Sequence, residues 1–126
     1  MSDDSSTHFN ILDDGTKKTN HFTLRPRGSN RRPITSVTIP TSVVEIGEST
    51  FQNCKSLKKV TIPTSVKLIG DDAFWSCHAL VDVKIPTSVK SIGSGAFANC
   101  SALVNMKIPT SVKSIGSGAF NWCTAL

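Results

Sequence analysis

Four cysteines, Cys54, Cys77, Cys100 and Cys123, recur at one fixed step, and three other residue types keep the same step. Pro40, Pro63, Pro86 and Pro109 hold it, as do Gly47, Gly70, Gly93 and Gly116, and Phe51, Phe74, Phe97 and Phe120. A unit this short cannot close a core alone, so equivalent units must stack into a solenoid in which each coil touches only its neighbours. The 38% hydrophobic content is modest for a globular chain, yet it suits a stack that buries one narrow column per coil.

Aligned on the period, the coils are 34–56, 57–79, 80–102 and 103–125, and each reads (I/L)-x-x-(V/M)-x-I-P-T-S-V-x-x-I-G-x-x-(A/T)-F-x-x-C without insertion. In the second coil, Val60 and Ile62 alternate with Lys59 and Thr61, the period of a short strand with its apolar side inward. Pro63 removes a ladder donor and ends the strand, and Thr64-Ser65 turn the chain. Val66 and Ile69 face inward again on a second short strand, and Gly70 allows a corner that a side chain would crowd. Asp71-Asp72-Ala73-Phe74 suits a single helical turn with acidic groups at its N-terminal end. The expected inward set is Leu57, Val60, Ile62, Val66, Ile69, Ala73, Phe74 and Cys77, and the expected fold class is α/β, a solenoid of parallel strands and short helical turns.

The pattern L-x-x-(V/M)-x-I-P-x-S-V-x-x-I-G-x-x-A-F-x-x-C resembles the BspA-like, or Treponema pallidum type, leucine-rich repeat family. The resemblance covers all four coils; coil one departs at Ile34 and Thr50, and residues 1–33 show no family pattern. It implies a right-handed parallel leucine-rich-repeat solenoid used for recognition, often in surface or adhesion proteins, and no enzymatic activity.

The spacing of the cysteines speaks against zinc, whose ligands come in close pairs along the chain, and favours buried free thiols in a reducing compartment. His78 stands alone in its column, and Asp71-Asp72 has no complementary histidine or nucleophile at a recurring place. The sequence therefore assigns no catalytic, cofactor or metal site. Asn99-Cys100-Ser101 matches a glycosylation sequon by chance.

Residues 1–33 read as a mostly disordered leader, acidic and serine-rich at its start and basic over Leu24–Pro33. Short alternating runs flank Asp13-Asp14-Gly15 and are compatible with a hairpin over 9–24 that covers the first coil. The net charge of +5 leaves +2 in the leader and +3 in the repeats. Arginine is confined to the leader and lysine is spread along the coils, which argues against nucleic acid as a partner. The N-terminus lacks the basic start and apolar run of a secretory signal, so the expected location is cytoplasmic, or extracellular if the chain is a piece of a surface protein. No apolar run is long enough for a membrane span. Leu126 is in register with the start of a further coil, which leads us to expect a fragment of a longer array or self-association through an uncapped coil.

Repeat proteins bind through outward columns. Ser36, Lys59, Asp82 and Asn105 form one on the strand, and Thr38, Thr61, Lys84 and Lys107 another. These eight are the expected contacts of a protein partner, and the expected function is a non-enzymatic interaction module. The alternatives are a structural, self-associating array or an adhesin-type segment. A further column, Val44, Lys67, Lys90 and Lys113, stacks three like charges whose repulsion an acidic partner, or water around flexible side chains, would relieve. Trp75 and Trp122 occupy neighbouring columns and form no stacked platform.

Overall fold

The computed structural model describes residues 8–10, 18–19 and 34–126, and in it each repeat closes one coil of a parallel β-solenoid. Its ten strands are β1 (His8–Asn10), β2 (Lys18–Thr19), β3 (Ser36–Thr38), β4 (Glu45–Ile46), β5 (Lys59–Thr61), β6 (Leu68–Ile69), β7 (Asp82–Lys84), β8 (Ser91–Ile92), β9 (Asn105–Lys107) and β10 (Ser114–Ile115). The odd strands make one five-stranded sheet in the order β1-β3-β5-β7-β9, and the even strands make a second in the order β10-β8-β6-β4-β2. All pairing is parallel, and from β3 and β4 onward it follows the sequence period: Val37, Val60, Val83 and Met106 are successive partners, as are Ile46, Ile69, Ile92 and Ile115.

β1 and β2 extend this pairing into the leader. They do not pair with each other; His8–Asn10 runs parallel to β3 and Lys18–Thr19 parallel to β4. The remainder of the span expected to form a hairpin, and the rest of the leader expected to be disordered, lie outside the described residues.

The third side of each coil corrects the expected fold class. No helix is present among the described residues, so the helical turns and the α/β label give way to an all-β solenoid with a wall of turns. The reason lies in where the N–H groups go. In the first coil Thr50, Gln52 and Cys54 donate back within the turn, to the carbonyls of Gly47, Ser49 and Phe51. The intervening Ser49, Phe51 and Asn53 donate across to Asp71, Ala73 and Trp75 of the next coil, at 2.9, 2.7 and 2.8 Å. A helix would turn all of these donors along its own axis. Left-handed backbone at every fourth residue breaks that direction: Ser49 (φ 60°) and Asn53 (63°), then Asp72 and Ser76, Gly95 and Asn99, Gly118 and Trp122. Two of these eight positions hold glycine, so the sequence gives weak notice of the conformation.

Inside, the expected second-coil residues are all buried, from Leu57, Val66, Ile69, Ala73, Phe74 and Cys77 at 0% exposure to Ile62 at 8%. Phe51, Phe74, Phe97 and Phe120 stack nearly parallel, with centroids 4.9, 5.0 and 5.5 Å apart. Coil four is less covered, since Ile115 is 48% exposed where Ile92 is 2%. At the corner before the turn wall, backbone packs on backbone: a Cβ on Gly93 would lie 2.5 Å from the Asp71 nitrogen and 2.6 Å from the Gly70 carbonyl carbon.

Candidate functional site

The first sheet carries the eight candidate contacts on its outer side because strand residues alternate about the buried valines: β5 and β7 run exposed, buried, exposed. Parallel register aligns them in two columns. Ser36 pairs with Lys59, Lys59 with Asp82 and Asp82 with Asn105; Thr38 pairs with Thr61, and Lys84 with Lys107. Six of the eight are exposed and Ser36 and Thr38 are half-buried. The first column alternates in sign at Lys59 and Asp82, whereas Lys84 and Lys107 set two ammonium groups side by side.

A concavity of about 720 Å³ opens at coils three and four, and Asp82, Lys84, Asn105 and Lys107 line it together with Val104, the inward-facing Val83, Ile85 and Met106, and Leu126. The structure thus brings four of the eight together at one concavity and leaves Ser36, Thr38, Lys59 and Thr61 outside its lining. Val81 and Val104, outside the expected contact set, are 42% and 49% exposed beside the polar columns. The signal was there: their column reads Thr35, Lys58, Val81, Val104, a change from polar to apolar at an outward position.

The thiols are held out of chemistry. Cys77, Cys100 and Cys123 each donate to the carbonyl of the phenylalanine one coil back, Phe51, Phe74 and Phe97, at 3.2, 3.1 and 3.0 Å. All four cysteines are free. Burial pushes the Cys54 thiol up to about 11 and that of Cys100 up to about 12, and raises those of Cys77 and Cys123 as well. Thiolate is the nucleophile and the metal ligand, so these groups are suited to neither role at neutral pH. Cys77, Cys100 and Cys123 instead each satisfy a carbonyl of the turn wall.

The remaining singular residues are accounted for locally. Asn99 donates from Nδ2 to the Ser76 hydroxyl at 3.0 Å and stands 3.2 Å from His78 Nε2, so the sequon asparagine is engaged in the wall. Trp75 is half-buried with its Cδ1 beside Gly95, and Trp122 is 70% exposed on left-handed backbone. Among the described residues no group of three or more histidine, cysteine or acidic side chains could hold a metal ion, and no helix is long and apolar enough to cross a membrane.

Residues 29–126 match the family described as the BspA type leucine rich repeat region, in six copies. Among solved structures, the leucine rich repeat protein of T. pallidum is 38% identical and superposes with a TM-score of 0.72 over 73% of this chain and 43% of its own. A leucine-rich repeat protein from Bacteroides ovatus is 31% identical, with a TM-score of 0.75 over 95% of this chain and 36% of its own. The pneumococcal vaccine antigen PcpA is 25% identical, with a TM-score of 0.58 over 70% of this chain and 28% of its own. The chain therefore spans less than half the length of each of these proteins. No curated protein matches it.

Proposed function

The chain belongs to the BspA type leucine-rich repeat family, and from that premise we propose that it is a non-enzymatic interaction module whose first sheet presents a rigid face to a protein partner. Repeat proteins of this family typically mediate protein interaction or surface adhesion. The observation that carries the reading is the register of the outer columns: side chains one full repeat apart in sequence stand side by side on a parallel ladder. Such a surface loses little conformational entropy on binding, because the backbone beneath it is already fixed. The exposed Val81 and Val104 beside charged and amide groups supply the apolar centre and polar rim that protein interfaces combine.

The test is affinity capture with the Lys59→Glu, Lys84→Glu double variant beside the unaltered chain. A specific partner held by the unaltered chain should be lost by the variant at unchanged melting temperature; equal recovery rejects this face. Surface display, in the manner of an adhesin segment, draws support from the similarity to a pneumococcal vaccine antigen. Fractionation of the producing cell separates it from a cytoplasmic role.

A further inference from the structure

The third side of the solenoid carries a notch in its turn wall. At the positions where coil two holds Asp71, Asp72 and Trp75, coil three holds Ser94, Gly95 and Ala98. Coil four brings bulk back with Asn121 and Trp122. A concavity of about 400 Å³ opens there, with Gly95 and Ala98 at its base, Trp75 on its coil-two side and Trp122 on its coil-four side. Coils two and four are two steps of the strand spacing apart, about 10 Å.

Two kinds of group meet in this notch. Gly95 sits on left-handed backbone at φ 64° and has no side chain. The Asp72 Oδ1 fills the space where its Cβ would stand, and the Trp75 Cδ1 lies 4.0 Å from the same point. A carboxylate and an indole edge therefore border one spot. Asp71 is fixed at the same side, where its Oδ1 accepts from the Ser94 N–H at 2.9 Å, and Glu48 adds a third carboxylate from coil one. Among the described residues that line the concavity there is no lysine, arginine or histidine.

We infer that this notch receives an arginine side chain from a basic segment of a protein partner. A guanidinium is planar and permanently charged, so it stacks on an aromatic face while its N–H fork meets a carboxylate. Among aromatic side chains, tryptophan gives the strongest attraction to a cation. A lysine ammonium has no flat face and holds its water more tightly. A neutral sugar would use the tryptophans but leave three mutually repelling carboxylates uncompensated. Arginine and tryptophan are also the residues that most often carry binding energy at protein interfaces. The notch lies on the turn wall, away from the first sheet, and either surface can fail without the other.

The experiment is a fluorescence-anisotropy titration of the full chain with a labelled, blocked peptide of three Arg-Gly repeats, beside the Lys-Gly equivalent. The arginine peptide should bind more tightly than the lysine peptide, with an affinity that falls as salt rises. Trp75 and Trp122 are the chain's two tryptophans, so intrinsic emission should change along the same titration. Asp72→Asn keeps a residue that accepts left-handed backbone and should weaken binding about threefold. Trp122→Leu should cost a similar factor, and the two changes together about tenfold. Asp82→Asn removes the same charge from the first sheet and should stay within about twofold of the unaltered chain. Absence of arginine-peptide binding, equal affinity for the lysine peptide, equal loss with Asp82→Asn, or tighter binding of cellohexaose read from tryptophan emission would each overturn the assignment.

Discussion

Truncating the phenylalanine ladder at different heights separates nearest-neighbour stacking from simple burial. Phe74 is 0% exposed and has a ring on each side, at 4.9 and 5.0 Å, whereas Phe120 is half-buried and stacks only on Phe97, at 5.5 Å. Phe→Ala removes about 100 Å³, and at about 24 cal/mol per Å³ an uncollapsed cavity adds roughly 2.4 kcal/mol to a transfer loss of about 2 kcal/mol. The strand ladders on either side hinder collapse around Phe74, so its truncation should cost about 4 kcal/mol, with the two stacked contacts holding it at the upper end of the range. For Phe120 the partial exposure halves the transfer loss, the cavity opens to solvent, and one stacked contact is lost, giving about 1.5–2 kcal/mol. Urea denaturation followed by far-UV circular dichroism measures both. Phe74→Ala should lower the midpoint by more than twice as much as Phe120→Ala at similar m-value. Equal losses would refute the idea that coils are held by their neighbours on both sides.

Two further outcomes follow from the geometry. Gly93→Ala places a Cβ 2.5 Å from the Asp71 nitrogen and should destabilise by about 2–3 kcal/mol, although alanine is the less flexible residue in the unfolded chain; a melting temperature equal to wild type would contradict the backbone packing at that corner. The thiols have folded-state values raised above the unfolded one, to about 11 for Cys54 and about 12 for Cys100. Their contribution is therefore complete below the unfolded thiol range and declines as pH climbs toward the folded values, at up to about 1.4 kcal/mol per pH unit for each. Stability measured between pH 8 and 11 should fall, and Cys100→Ala should fall less steeply; parallel slopes would remove the thiols from the account.

Much of this was legible because repetition multiplies each local signal. Proline after Ile62 and the alternation Val60-Thr61-Ile62 placed β5, and the same pattern one repeat later placed β7. The inward columns followed from residue type alone, since an apolar side chain repeated at one place in every coil has only the interior to occupy. The turn wall is not legible in the sequence, because Asp71-Asp72-Ala73-Phe74 is locally compatible with a helix and the donors that decide otherwise find their acceptors in the next coil. The two outward columns of the first sheet are also readable, but the exposure of Val81 and Val104 is not, because apolar residues next to an apolar strand look like core until the strand's facing is known.

The sequence by itself determined the coil, its period, its core and the register of every column, because these depend on side-chain volume and polarity recurring in one frame. Only the tertiary structure decided how the third side closes and what the cysteines do. Both depend on a contact between coils: a backbone N–H shared across the stack, and a thiol hydrogen donated to the carbonyl one coil back. Such contacts carry no local signature, since the partners meet only once the coils are stacked.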